Sequence, residues 1–159
     1  MGIADLLVLE RIQCGVEISS KKRALEMLSA SLATTHEELT EDEVFNGLLA
    51  RERLGSTGLG HGVAIPHGRF KHVTAAFGAI LTMPDGIDFD AVDGQPVNFI
   101  FALMVPEAST DEHLQLLSKL AELFRDDSIR AELVAAPSAE SLMALFQLHS
   151  PSTVQAEAS

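Results

Sequence analysis

Two apolar runs bounded by turn residues constrain the fold of this chain most. Residues 75–83 precede Pro84-Asp85-Gly86, and residues 97–105 follow Asp93-Gly94-Gln95-Pro96. Continuous apolar runs of this length between turn signals predict strands that are largely buried. Because helical patterns occur on both sides of these runs in the sequence, we expect an α/β fold with a single mixed β-sheet flanked by helices.

Five helices are predicted around these strands. A helix begins at Ser19 or Ser20 and continues to about Leu32, with Ala24, Leu25, Leu28 and Leu32 at helical spacing. Capping-box patterns at Thr40-Glu41-Asp42-Glu43 and Ser109-Thr110-Asp111-Glu112 open two more helices. The first of these extends to about Arg53, and the second buries Leu114, Leu117, Leu120, Ala121 and Phe124. Two shorter helices are expected near residues 128–134 and 138–148.

Length and charge limit the possible functions. We expect one domain over residues 1–148 and a flexible tail over 149–159, since the chain has 159 residues and ends in small and polar ones. Its net charge is −12 and its one basic run is Lys21-Lys22-Arg23, so nucleic acid is a poor partner candidate. No apolar run approaches the about 20 residues that span a bilayer, so membrane insertion is not expected. The single Cys14 suits a reducing compartment and therefore a cytoplasmic location.

The glycine-rich segment Gly55–Gly68 is the candidate functional site. It contains Ser56 and Thr57, and it ends with Pro66-His67-Gly68. A nucleotide-binding P-loop needs a Gly-Lys-Ser/Thr ending, and no lysine occurs between Arg51 and Phe70. The segment follows a helix and lacks the dinucleotide fingerprint, so that kind of site is excluded as well.

A metal site receives little support from the sequence. His61, His67, His72 and His113 are available as ligands, but no pair has the i,i+4 spacing of zinc proteases, and there is one cysteine. We therefore expect no metal.

A histidine that handles phosphate fits the residues better. A neutral imidazole can attack a phosphoryl group, and the transfer mainly requires positioning and donors to the phosphoryl oxygens. The hydroxyls of Ser56 and Thr57, the N–H groups of residues 58–62, Arg51 and Arg53 are candidate donors around His67. The competing interpretation is a tight loop with an incidental histidine. His113 favours the interpretation as a phosphate-handling site, because it is predicted in the first turn of a helix, which attracts anions. The competing interpretation of His113 is a surface residue.

These residues resemble the active-site signature of the fructose/mannitol-type IIA domains of the bacterial phosphoenolpyruvate-dependent phosphotransferase system. The similar segments are residues 51–60 and 62–68. The sequence is also similar to the nitrogen-regulatory branch of that family in four further segments: Ser20–Glu26, Ile87–Ala91, Asp93–Val97 and His113-Leu114. The resemblance therefore extends to about residue 148.

The resemblance implies specific roles. His67 would be phosphorylated by a phosphohistidine of a small HPr-like carrier, His113 would help to hold the phosphoryl group, and Arg51 would lie beside the site. Ser56 and Thr57 are expected to contact phosphate, and no cofactor is needed. Leu59 and Phe70 are candidates for an apolar docking surface around the site.

Several functions stay open at the level of sequence. In the nitrogen branch, the phosphorylated and free forms would regulate protein partners such as sensors or potassium-transport components. One alternative is a sugar-specific IIA protein that passes phosphate to a IIB domain. Others are a histidine-based hydrolase, a metal site, or a module that binds an anion without chemistry.

Overall fold

The computed structural model describes residues 2–150, which form a mixed sheet with helices on both faces. Two short 3₁₀ turns, Ile3–Leu6 and Leu9–Arg11, precede the first strand. The strands are β1 Ile12–Gln13, β2 Gly58–Gly60, β3 Val63–Ala64, β4 His67–Phe70, β5 Phe77–Ile87 and β6 Val97–Pro106. The helices are α1 Lys21–Thr34, α2 Glu41–Leu54, α3 Thr110–Leu123, α4 Asp127–Ala135 and α5 Ala139–His149.

The two predicted apolar runs form the centre of the sheet. The strands follow the order β1-β5-β6-β3-β2, and β4 also pairs with β6. β5 and β6 are antiparallel neighbours, whereas β1, β3 and β4 pair in parallel with β5 or β6. The expected α/β fold with a mixed sheet is therefore confirmed.

From Phe99 onward, side chains of β6 alternate between two hydrophobic cores, one on each face of the sheet. Ile100, Ala102 and Met104 pack with α1 and α2, and Phe99, Phe101, Leu103 and Val105 pack with the N-terminal turns, α3, α4 and α5. Alternate residues of a strand point to opposite faces, so both faces of this strand are buried. This double burial explains why the sequence shows a continuous apolar run instead of alternation.

Only one of the two predicted capping boxes has a side-chain hydrogen bond at its N-cap. The Thr40 hydroxyl accepts a hydrogen bond from the Glu43 N–H at 3.1 Å, as an N-cap should. Ser109 also precedes its helix, but its side chain makes no capping hydrogen bond. Its backbone has ψ 62° rather than the extended value found at Thr40, so the prediction of a cap there is wrong although the helix begins at the expected residue.

The strand that leads into the candidate site is broken at Ile65 and Pro66. β3 pairs with β6 through Val63 and Ala64, and β4 resumes the same pairing at His67, which lies opposite Leu103. Pro66 has no N–H to donate, and its carbonyl accepts a hydrogen bond from the Leu103 N–H at 2.9 Å. The break therefore starts a new strand at His67.

A buried phenylalanine ring fills the space between α2 and β4. A Cβ at Gly47 would lie 2.4 Å from Phe70 Cε1, and one at Gly68 would lie 2.8 Å from Phe70 Cε2. Phe70 is thus part of the core, and the expectation that it forms a docking surface is wrong because two glycines let the ring enter the interior.

Residues 151–159 lie outside the described residues, so the predicted tail has no structural account except at its start. His149 ends α5, which places the helix end at the expected position. Within residues 2–150, no helix combines the length and hydrophobicity needed to cross a bilayer.

Candidate functional site

His67 is the first residue of β4, and its ring has a defined orientation. Nδ1 lies 2.7 Å from the Ile65 carbonyl oxygen, which can only accept, so Nδ1 carries a proton. Nε2 lies 3.3 Å from Arg51 Nε, whose N–H can only donate, so Nε2 presents a lone pair. The two contacts together select the neutral tautomer with Nε2 unprotonated.

Burial maintains this neutral form. It lowers the pKa of His67, and the positive charge of Arg51 lowers that pKa further. The hydrogen bond to the Ile65 carbonyl and the charge of Glu52 act in the opposite direction, but the net shift is downward. A depressed pKa leaves the imidazole available as a nucleophile near neutral pH.

His113, on α3, faces His67 across the site. The two rings are 5.1 Å apart between centroids and make an interplanar angle of 67°. His113 Nε2 is buried and has no hydrogen-bond partner among the described residues. Burial lowers the pKa of His113, as do the nearby charges of His67, Arg69 and Arg51, in that order. An unpaired buried nitrogen beside a nucleophile is suited to binding a ligand oxygen.

Two arginines border the histidine pair. Arg51, near the end of α2, donates from Nη1 to the Gly55 carbonyl at 2.8 Å and from Nε to His67, which leaves further N–H donors. Arg69 is two residues after His67 on β4, and its Nη1 lies 3.3 Å from the Thr110 hydroxyl. We did not predict Arg69 from the sequence, although residues two apart on a strand lie on the same face.

An open cavity of about 730 Å³ gives access to this group. α2, β4 and α3 supply its walls, which include Arg51, His67, Arg69 and His113. Leu54 and Leu114 also line it and are 84% and 60% exposed. Leu114 was predicted on the buried side of its helix. The structure buries Leu120 as predicted, but it buries Leu116 in place of Leu114, which lies beside the cavity.

Ser56 and Thr57 are not among the described residues that line this cavity. The Ser56 hydroxyl donates to the Phe89 carbonyl at 2.8 Å. The Thr57 hydroxyl donates to the Glu52 carboxylate, and the Thr57 N–H donates to the same carboxylate at 3.3 Å. Both hydroxyls therefore hydrogen-bond to neighbouring protein groups in this structure.

Residues 58–62 lie in the antiparallel β-hairpin formed by β2 and β3. Gly60, His61 and Gly62 have positive φ values of 91°, 58° and 83°, which a tight turn requires. The His61 N–H donates to Asp93 Oδ2 at 2.9 Å, and a Cβ at Gly62 would lie 2.8 Å from Asn98 Oδ1. Turn geometry and close packing account for the glycines, and the Gly58 and His61 N–H groups donate to the Ser56 hydroxyl and Asp93. These contacts lend no support to the expected phosphate-binding N–H groups.

The other candidate ligands do not cluster. Among residues 2–150, no group of three or more His, Cys, Asp and Glu side chains could hold a metal ion. His61 lies in the exposed turn between β2 and β3, and His72 is exposed after β4. The structure thus brings together His67, His113 and Arg51, and adds Arg69.

Comparison with known proteins assigns the class. Residues 5–148 match the family model described as "Phosphoenolpyruvate-dependent sugar phosphotransferase system, EIIA 2". The chain belongs to this family of phosphotransferase-system IIA proteins.

Among the relatives compared, nitrogen-regulatory members are more similar to this chain than a sugar-specific member. It is 41% identical over 140 residues to the nitrogen regulatory protein of Pseudomonas aeruginosa, covering 88% of this chain and 91% of that one. The crystal structure of nitrogen regulatory protein IIA-Ntr from Neisseria meningitidis superposes with a TM-score of 0.85 at 47% identity, covering 91% of this chain and 98% of that one. A fructose-specific EIIA component of Haloferax volcanii is less similar, with 31% identity over 140 residues, 88% of this chain and 91% of its own.

Proposed function

We propose that His67 accepts a phosphoryl group on Nε2 from a phosphohistidine of a small HPr-like carrier. We further propose that the phosphorylated and free forms regulate protein partners in the cytoplasm. The observation that supports the first step most directly is the tautomer of His67. Its lone pair is on Nε2, and Nε2 lies beside an arginine and a second histidine in an open cavity.

The transfer forms one bond and breaks one. The bond between phosphorus and the donor imidazole nitrogen breaks as a bond between phosphorus and His67 Nε2 forms, and the electron pair of the broken bond returns to the donor ring. His67 Nδ1 keeps its proton and its hydrogen bond to Ile65 throughout. Because the two phosphohistidines are chemically alike, the exchange is nearly isoenergetic and reversible.

The neighbours of His67 are suited to stabilise the moving charge. The Arg51 N–H that now contacts Nε2 can shift to a phosphoryl oxygen, and Arg69 supplies a second cation at the cavity wall. A proton on Nε2 would let His113 donate to another oxygen. Fixed donors that meet developing charge are a main source of rate enhancement in such transfers.

Two exposed leucines provide a site for brief docking. Leu54 and Leu114 project from α2 and α3 beside the cavity, and both are largely exposed. A small apolar contact with Arg51 and Arg69 nearby suits a carrier that must bind, exchange phosphate and dissociate.

The regulatory part of the proposal rests on similarity. The relatives named as nitrogen regulatory proteins exceed the fructose-specific relative in identity to this chain. A phosphoryl group adds about two negative charges at the cavity, which changes the partners that this surface can accept.

Phosphorylation in a reconstituted system tests the first step. The protein is incubated with phosphoenolpyruvate, enzyme I and the HPr-like carrier, and acid-labile, base-stable phosphate is measured. We expect full labelling of the wild type and of His72→Gln, which alters an exposed histidine, and no labelling of His67→Gln. An unlabelled wild type, or a His67→Gln variant labelled like the wild type, would contradict the proposal.

Adding a IIB domain of the fructose or mannitol type separates the regulatory function from the sugar-specific alternative. A regulatory protein should keep its label in the presence of this domain. Rapid loss of the label to the IIB domain would favour the sugar-specific function.

A further inference from the structure

A buried carboxylate lies directly behind the phosphorylation site. Glu52 follows Arg51 on α2, and its side chain is only 2% exposed. Its Oε1 accepts from the Thr57 hydroxyl, and its Oε2 accepts from the Thr57 N–H and from Lys21 Nζ at 2.8 Å. A carboxylate this buried is stable only when such partners satisfy it.

The contacts of Glu52 connect three segments of the chain. Lys21 begins α1, Glu52 lies in the last turn of α2, and Thr57 lies in the loop before β2. Lys21 Nζ also donates to the Phe89 carbonyl at 3.3 Å, and the same carbonyl accepts from the Ser56 hydroxyl. The loop over residues 55–57 is therefore held from both of its sides.

One chain of hydrogen bonds leads from this loop to His67. The Thr57 carbonyl accepts from the Ile65 N–H at 3.1 Å. The Ile65 carbonyl in turn accepts from His67 Nδ1 at 2.7 Å, and this bond selects the tautomer with a lone pair on Nε2. The position of Thr57 therefore affects the orientation of the His67 ring, which would receive the phosphate.

A second chain leads from the same loop to Arg51. The Gly55 carbonyl accepts from Arg51 Nη1 at 2.8 Å, while the Gly55 N–H donates to the Glu52 carbonyl at 3.2 Å. Arg51 Nε then reaches His67 Nε2. The loop therefore contacts both members of the Arg51–His67 pair.

We propose that Glu52 and Thr57 form a buried positioning pair that fixes the mutual orientation of Arg51 and His67, through Gly55 on one side and Ile65 on the other. This inference rests on the proposed phosphorylation of His67. It assigns Thr57 a role behind the site instead of a phosphate contact. Neither residue touches the reacting atoms, so both are positioning residues.

Three variants and one matched control test the pair. Thr57→Val removes the hydroxyl with little change in shape. Glu52→Gln places an NH₂ group where the carboxylate now accepts a donor. Thr57→Ser keeps the hydroxyl. Thr82→Val is the control, since the Thr82 hydroxyl is equally buried and accepts from the Gly15 N–H at 2.9 Å in another part of the fold.

Two measurements are made on each folded variant. Nitrogen NMR of the His67 ring reports its tautomer, and phosphorylation kinetics separate the maximal rate from the KM for the carrier. We expect Thr57→Val and Glu52→Gln to lose the preference for Nδ1–H and to slow the maximal rate about tenfold to a hundredfold, because small displacements of reacting groups have effects of this size. KM should change little, since Leu54 and Leu114 are not touched. Thr57→Ser and Thr82→Val should match the wild type.

The inference is overturned if folded Thr57→Val or Glu52→Gln keeps the wild-type tautomer and rate, or if Thr82→Val loses both. Should neither variant fold, amide exchange in the wild type decides: protected Thr57 and Ile65 N–H groups support the pair, and exchange as fast as in exposed turns rejects it. A wild type that accepts no phosphate while Thr57→Val still shifts the tautomer would contradict the proposed function and leave the positioning pair intact.

Discussion

The pKa values of the two neighbouring histidines in this site are lowered for the same reason. Burial lowers the pKa of His67 and of His113, and the nearby arginines add to both effects. A phosphoryl group at Nε2 of His67 would reverse the electrostatics for His113, since an anion favours the protonated imidazole. His113 is thereby suited to act as a neutral neighbour before the transfer and as a donor after it.

Truncation of His113 should therefore slow the reaction without unfolding the protein. We expect His113→Ala to reduce the rate of phosphoryl transfer to His67 about a hundredfold, the usual cost of removing one donor to a developing charge. His113→Gln should recover part of the rate, because its amide can place an N–H near the former position of Nε2. Quenched-flow labelling measures the rate, and an unchanged rate in His113→Ala would count against its role.

At this scale, the sequence predicted His67, His113 and Arg51, which the structure places together, but it did not point to Glu52. The first three are polar groups with recognisable chemistry in a recognisable motif. Glu52 looked like one more charged residue near a helix end, and its burial depends on Lys21 and Thr57 reaching it from other segments. The packing of α1 against α2 brings Lys21 to Glu52, and the loop after α2 brings Thr57 to it.

At the scale of elements, two helices with the same starting pattern differ in how they begin. Thr40 and Ser109 both occupy the N-cap of a Ser/Thr-x-x-Glu sequence, but only Thr40 makes the side-chain bond. The difference lies in the backbone before the helix, which a local pattern does not determine. α3 instead follows β6 through a short connection in which the Ser109 N–H donates to the Pro106 carbonyl.

A matched pair of substitutions tests this difference. Thr40→Ala should lower the free energy of unfolding by about 1 kcal/mol, the typical value of a side-chain cap. Ser109→Ala should change it by less than about 0.5 kcal/mol, as for a surface site without such a bond. Urea denaturation measures both, and equal losses in the two variants would show that Ser109 forms the cap in solution.

The elements themselves were largely predictable, and the function of the glycines was not. The apolar runs and helical spacings located β5, β6 and all five helices to within a few residues. The glycine-rich segment looked like an anion-binding loop because glycines permit close approach by any atom. In the molecule, those atoms are Asn98 and Ala91, which occupy the space that a Cβ of Gly62 or Gly58 would need.

At the scale of the whole molecule, the lowered pKa values of three histidines make the stability of the fold depend on pH. The pKa values of His36, His67 and His113 are all lower in the folded chain than the ordinary value of 6.5. Protons therefore bind more readily to the unfolded chain as the pH falls below that value. Their contribution to stability is complete above about pH 6.5 and is lost as the pH falls toward the lowered folded-state values.

We expect the free energy of unfolding to decrease between pH 7.5 and pH 5.5, with a slope of at most about 1.4 kcal/mol per pH unit for each histidine. This window lies above the ordinary pKa of aspartate, so the carboxylates contribute little to the change. The double variant His67→Gln/His113→Gln should show a shallower decrease than the wild type. Urea denaturation across the window measures both slopes, and identical slopes would contradict the pH linkage.

The break in the edge of the sheet at Pro66 has a consequence for how partners can attach. β4 spans only four residues after a proline and pairs with β6. An edge this short offers few backbone groups for another chain to extend by strand addition. If His67 carries phosphate as proposed, partners would recognise side chains around it instead of a strand edge. Contacts of that kind can dissociate as soon as the phosphoryl group has moved, which would allow one small protein to meet a phosphate donor and its targets in turn.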